Sequence, residues 1–464
     1  MLPYILILID TVPIFFMPKI AYFIYLFCVT AIVFAVNKLM LKSVLLMVFI
    51  CWGFLSCICI VARYVPDSGV MSAGLENVTA LEGTAEGDSY RLKGGSYLCR
   101  IRMDKLVCGN AEIYLDKDVT VIYRGEKLYW GERARLDRVR ISDDRTAFFA
   151  SRCKVVGNCG RFFYIRKQAV EIFIDKIDCV FGQGSFLAEA LFVGNRDDLP
   201  LELKDMFRRA GLSHVLALSG MHLGIISLFV FFLIRRVAGQ TVSLVTVNCV
   251  NVIYLLLAGI SPSLLRSVIM FFLISLAKIT GCRMNLMKIL FFAFSVSLMA
   301  FPEYFFSLSF QLSFLALAGI ILLTSNISVP FERFLPAGIA SGIACSIAAV
   351  IGTGAVSLHT FGIIYPGGII SSVIVSPAVM IYMCGGLAVM MIPMSILHYF
   401  LPFVQSVFNG FYWLILKIVA VFSYIPGITA EGDIPFWVFL FFQLIIVWLI
   451  YFPCCMTRIF KRFR

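Results

Sequence analysis

The chain has 464 residues, 61% hydrophobic and only 14% charged, with a mean hydropathy of +0.94 and 44 phenylalanines. Soluble domains run about half apolar and a quarter charged, so this composition excludes a soluble enzyme and a disordered chain and leaves a polytopic membrane protein. The net charge is +12, but 24 Lys+Arg and 22 Asp+Glu fall between Arg63 and Arg209. The apolar remainder therefore carries most of the excess, as basic caps that orient helices, and the charge is not by itself a nucleic-acid signal.

Residues 1–62 form three apolar stretches, 2–17, 20–36 and 43–62. A span needs about 20 apolar residues, which the last two supply. The first holds Asp10, Pro3 and Pro13 and reads as re-entrant. Lys38 and Lys42 place the loop between the good spans in the cytoplasm, so the polar block that follows begins outside it. Residues 65–178 read as β: 118–124 and 131–141 alternate with period two, and glycines punctuate the runs. About six short strands there suit a small barrel, with the OB-fold as the natural candidate. Residues 179–211 read as an amphipathic helical connector. Phe173, Ile177, Phe181, Leu187, Leu191 and Phe207 are expected against the membrane surface.

From 212 to 453 the chain is apolar again, with spans expected at 212–234, 241–260, 263–277, 288–301, 305–324, 337–358, 369–392, 408–425 and 435–453. Arg235-Arg236, Lys278, Arg283, Lys288, Arg333 and the basic tail 454–464 fall on alternate ends. All are cytoplasmic if the β block is outside, and Glu303, Glu431 and Asp433 then fall outside. The fold class is a polytopic α-helical membrane protein with an extracytoplasmic small β-barrel (OB-like) domain.

Several motifs could carry chemistry. His214 and His222 flank Ser219-Gly220; eight residues apart on one helix, they would sit about 80° from each other and share a side. Such groups serve either as interhelical glue or as the lining of a wet path. Two histidines without a nearby carboxylate make a poor zinc site. Pro262 breaks or starts a helix with Arg266 about one turn inside it, either snorkelling to the interface or lining a path for an anion such as phosphate. Gln311, with Ser307, Ser309 and Ser313, puts polar groups in an aromatic span, and the Gly- and Pro-bearing run 359–377 reads as a broken or re-entrant helix. Between Tyr129 and Lys167 lie ten basic and four acidic residues interleaved with aromatics, which is either a solvated face over a core or a single-strand-binding surface. Cys99, Cys108, Cys153 and Cys159 lie in the polar block, where an oxidising side would permit one or two disulfides with three full connectivities open. No P-loop, HExxH or GxSxG occurs and the chain has four His, so no catalytic residue, metal or cofactor is assigned.

These motifs resemble the ComEC family of competence proteins, inner-membrane DNA-uptake channels. The family's "GLSHLLAISGLHvG" is similar to Gly211 through Gly224. Its "LLLGdr" resembles the run from Leu191, its "aGxsPsvlRa" resembles Ala258 to Ser267, and its "FqLSflA" resembles the run from Phe310. A Pro-bearing element resembles Gly362 to Pro377. Met221 replaces the usual Leu, and Ser372 stands where the family often has Asn.

The resemblance implies transport of single-stranded DNA across the cytoplasmic (inner) membrane. Arg133, Arg135, Arg138, Arg140, Arg161 and Arg166 on the β domain would meet phosphates. His214, Ser219, Gly220, His222, Arg266 and Gln311 would line the path in the membrane. Membrane lipid, an extracytoplasmic DNA receptor, a cytoplasmic ATPase or helicase and further copies of the chain are the partners it implies. Many members carry a metallo-β-lactamase-like domain that is not seen here, so degradation of the second strand is expected to fall to another protein, unless the DNA arrives single-stranded. The rival readings are a transporter of a small or lipidic anion and an intramembrane metal enzyme using His214 and His222.

Overall fold

The computed structural model describes residues 78–429, apart from 93, 109–110, 142–146, 159, 282–284, 302–303 and 306, together with 438–447 and 450. The N-terminal spans over 1–62, the acidic residues Glu303, Glu431 and Asp433, Arg283 and the basic tail lie outside the described residues.

Six strands come first: β1 (Val78–Ala85), β2 (Tyr90–Arg91), β3 (Tyr97–Cys108), β4 (Ala111–Tyr123), β5 (Glu132–Ile141) and β6 (Ala147–Asn158). The pairings run β1–β3, β3–β4, β4–β6, β6–β5 and β5–β1, so five strands close on themselves. Only β4–β6 is parallel, and β2 adds a short edge to β3. This is the connectivity of a five-stranded Greek-key OB barrel. Alternation produces it: Leu81, Ile101, Val121 and Leu136 point into a dry core while their neighbours face out. The β region closes at Asn158. Residues 161–178, included in the expected β stretch, instead belong to helix α1 (Arg161–Phe181).

After α1 come α2 (Ser185–Phe192), α3 (Leu201–Arg209), the single turn α4 (Ser213–Leu216) and α5 (Gly220–Ala258). Gly239, at φ 72° and ψ −178°, interrupts α5. Ser227 Oγ donates to Asn251 Oδ1 at 2.9 Å across that break, so α5 is a hairpin of two antiparallel arms. Then follow α6 (Pro262–Thr280), α7 (Leu286–Ala300), α8 (Leu308–Phe331), α9 (Ala337–Phe361), α10 (Gly367–Met390), α11 (Met394–Leu397), α12 (Leu401–Ser423) and the apolar α13 (Val438–Val447). Helices α5, α6, α8, α9, α10 and α12 are long and apolar enough to cross a membrane. A helix occurs at every span expected over 212–453 once α5 is counted as two arms. The 359–377 run breaks at Gly362 (φ 66°), pairs β7 (Ile363–Ile364) with β8 (Ile428–Thr429), and resumes as α10.

The apolar face of the amphipathic connector, expected against a membrane surface, is covered by other helices. Ile177, Phe181, Leu187, Leu191 and Phe207 are buried, Phe173 packs beside them, and all join one core with Val375, Val379, Tyr382 and Phe408 of α10 and α12. The contacts are in register: Ser371 Oγ donates to Ala210 O, Tyr382 Oη donates to Gly184 O, and Lys176 Nζ donates to Met390 O. The connector thus runs the length of α10. Its apolar face goes to protein because α10 and α12 present a matching apolar stripe.

Candidate functional site

Ser219 caps α5, accepting from Met221 N at 3.3 Å, while His222 Nδ1 accepts from Ser219 N at 3.2 Å. This reciprocal cap fixes the imidazole with Nε2 as its remaining donor, and that atom is buried and unpartnered. The chain is extended at Ala217 and Ser219, so His214, exposed on α4, and His222, on α5, sit on separate helices. The shared helical side expected for them is lost because the cap interrupts the helix.

Pro262 at the first turn and Ser261, accepting from Leu264 N at 3.4 Å, start α6 and set Arg266 one turn in. Its Nη1 donates to Ser313 O of α8, its guanidinium lies 5.6 Å from the Phe314 ring centre, and its Nε is buried without a partner. No carboxylate pairs with Arg266 among the described residues. Gly220 makes the meeting possible: a Cβ there would fall 2.7 Å from Ser267 Oγ and 3.5 Å from Arg266 Nη2. Ser219, Gly220, His222 and Arg266 therefore converge where the N-terminal ends of α5 and α6 meet. Two helix N-termini and an unpaired guanidinium make this spot attractive to an anion. Gln311 does not join it. Placed two residues from Ser309 and Ser313, it lies on the other side of α8 and donates to Phe305 O at 3.0 Å. Among the described residues no cluster of ligating side chains could hold a metal.

On the barrel, Arg133, Arg135, Arg138 and Arg140 are all exposed. Strict alternation would bury one pair. Arg138, at φ 55°, shifts the phase, so that buried residues change from Ala134 and Leu136 to Val139. Arg133 faces Asp104 at 3.5 Å, and Arg135 bonds Glu82 and Asp137. Arg138 and Arg140 have no carboxylate partner among the described residues. Arg140 stands opposite the exposed Phe149 across the β5–β6 ladder. Arg161 is exposed at the start of α1.

Arg166 is not on the surface. Only 3% exposed, it pairs with Asp88 at 2.7 Å and donates to Leu256 O and Leu257 O at the end of α5. Its donors are spent joining barrel to bundle, which removes it from any phosphate-binding set. A second seam binds Lys127 to Asp197 at 2.5 Å and to Asn195, in the run that follows Leu191. Asp88 and Lys127 carried no signal in sequence, because their partners lie about 70 or more residues away.

Cys99 and Cys153 are free thiols within the barrel, so the disulfides expected through them are not formed. Burial pushes both thiols up to about 12. Cys159 and the Cys108 side chain lie outside the described residues.

The fold defines a polytopic helical membrane protein carrying an OB barrel, with a cationic site at the meeting of two membrane helices. Residues 191–455 match the family described as "Competence protein", and the chain belongs to that family. It is 29% identical to an uncharacterized protein of Aquifex aeolicus over 192 residues, which are 41% of this chain and 44% of that one. It is 28% identical to ComE operon protein 3 of Bacillus subtilis over 141 residues, 30% of this chain and 18% of that protein. The matched regions thus span less than half of either relative. No solved structure matches the chain.

Proposed function

We propose that the chain conducts single-stranded DNA across the cytoplasmic membrane during natural transformation. The observation that carries this reading is Arg266, a buried cation without a carboxylate partner, set against the N-terminus of α5 within the motifs of a competence family. A phosphodiester supplies the negative charge that such a site lacks, and a single cation binds weakly enough to release it. The barrel lies outside the cytoplasm and receives the strand on Arg138, Arg140 and Phe149, guanidinium to phosphate and ring to base. Force comes from a cytoplasmic ATPase or helicase, and delivery from an extracytoplasmic receptor.

A cleft of about 380 Å³ lined by Arg208, Arg209, Tyr365 and Tyr424 favours a second reading, transport of a small or lipidic anion. There Asp205 bonds both arginines, and the Arg208 bond holds its carboxyl below the usual range.

Uptake of labelled DNA into the cytoplasm separates the two. A strain lacking the chain is expected to bind DNA outside and import none. Wild-type complementation restores import, and a His222→Ala complement at normal protein level does not. Unchanged import in the deletion of a competent host would remove DNA conduction and leave the small-anion reading.

A further inference from the structure

The second arm of α5 carries Asn248, Asn251 and Tyr254, spaced i, i+3, i+6 on one face of a membrane helix. Asn251 is fully buried and accepts from Ser227 at Oδ1, which leaves its Nδ2 unpartnered. Asn248 donates to Leu244 O at 2.7 Å, and its Oδ1 is buried and unpartnered. The Tyr254 hydroxyl is likewise buried without a partner. Cys249, Val252 and Ile253, between them in sequence, are exposed on the opposite side. The polar face is therefore turned inward while its neighbours face lipid.

Position along the hairpin gives these groups an order. Ser227 and Asn251 pair symmetrically about Gly239, so Tyr254 lies at the level of Gly224, two residues from His222 in α5. Asn248 lies about 9 Å deeper than Tyr254. The row thus begins beside the cationic site and descends from it. Buried polar groups in a membrane helix are costly unless they meet partners, and here three in a row keep hydrogen-bonding capacity to spare. An amide offers a donor and an acceptor, and nucleobase edges present both. Neutral groups do not grip phosphate, so a strand held by them can still move on.

We propose that Asn248, Asn251 and Tyr254 form a neutral hydrogen-bonding ladder for the base edges of the strand beyond the Arg266 site. This rests on the reading of the chain as a conductor of single-stranded DNA. The test uses the full-length chain in a competent host lacking its own copy. Asn248→Cys and Asn251→Cys are introduced singly, and the wild-type chain, with Cys249 on the lipid side, is the control. Incoming DNA carries an activated disulfide on one base and is halted in passage by a streptavidin cap at its trailing end. Both variants are expected to form a mixed disulfide with the DNA at least tenfold above wild type. Import that needs the chain but yields no adduct above wild type at either position would overturn the ladder alone. Import that persists without the chain would remove conduction, and the ladder with it.

A structural role for the Ser227–Asn251 bond makes a different prediction. The ladder expects Asn251→Leu to cut import at least tenfold at normal membrane level, while Ser227→Ala stays within twofold. Equal losses from the two would return the pair to a bond between arms.

Discussion

The barrel and the bundle solve burial in opposite ways. In the barrel, Leu81, Ile101, Val121 and Leu136 are fully buried and the arginines of β5 face outward, two of the four paired with carboxylates. In the bundle, large apolar side chains such as Phe232, Leu233 and Ile253 are exposed, while His222, Asn251, Arg266 and Ser371 are buried. Lipid accepts the first group at no cost, whereas the second must find partners inside the protein. The same side-chain type therefore means different things in the two regions: an exposed arginine of the barrel is ordinary, and a buried one of the bundle is not.

The largest expected effect breaks the bundle side of that contrast. Arg266→Ala should abolish DNA import while membrane insertion remains normal. Arg266→Lys should not restore it, because an ammonium lacks the planar fork that lets the guanidinium bond Ser313 O through Nη1 and keep other N–H groups for a phosphate. Wild-type import by Arg266→Ala would take Arg266 out of the path, and wild-type import by Arg266→Lys would mean that positive charge alone suffices there.

The seam comes next, because it tests whether two regions built so differently act as one. Asp88→Ala leaves the Arg166 guanidinium buried without its carboxylate, and breaking a buried pair in this way costs about 3–5 kcal/mol. The chain should become sensitive to trypsin between β6 and α1 while the barrel stays folded. A wild-type digestion pattern would mean that the Leu256 and Leu257 carbonyls suffice to hold Arg166.

Much of this contrast was legible in sequence, for identifiable reasons. Period-two alternation and spaced glycines marked the barrel, and apolar length marked each span, because both signals are local. The phase shift at Arg138 does leave a trace, which a reading of 131–141 as strict alternation overlooks: apolar Ala134 and Leu136 are followed by Val139 and Ile141 with two polar residues between. The burial of Arg166 was not legible, because its partners Asp88 and Leu257 lie about 80 and 90 residues away. The connector misled in the other direction: its amphipathic pattern was correct, but a pattern cannot say whether lipid or another helix covers the apolar face. Asn248, Asn251 and Tyr254 do carry a signal, their i, i+3, i+6 spacing within an apolar span. Sequence does not separate such a row from amides that simply bond neighbouring helices.

On the barrel side, the free arginines should outweigh the paired ones. Arg138→Gln with Arg140→Gln is expected to weaken single-stranded DNA binding by the full chain several-fold. It should also lower the salt slope by roughly 0.7 for each phosphate that is no longer neutralised. Arg135→Gln should matter less, since Glu82 and Asp137 already neutralise that charge. Equal effects from the two changes would mean that the ion pairs open when DNA arrives.

The smallest effect concerns the barrel's dry interior. With both thiols raised to about 12 by burial, Cys99 and Cys153 should be ionised to only about one part in ten thousand at pH 8. The thiolate is the reactive species, so alkylation mapped by peptide should leave both unmodified in the folded chain. Denaturant should release both barrel cysteines together, because they share one core. Modification of Cys153 before unfolding, with Cys99 still protected, would show that β6 opens independently of the rest. It would place the barrel's weak point at the strand that carries Phe149 opposite Arg140.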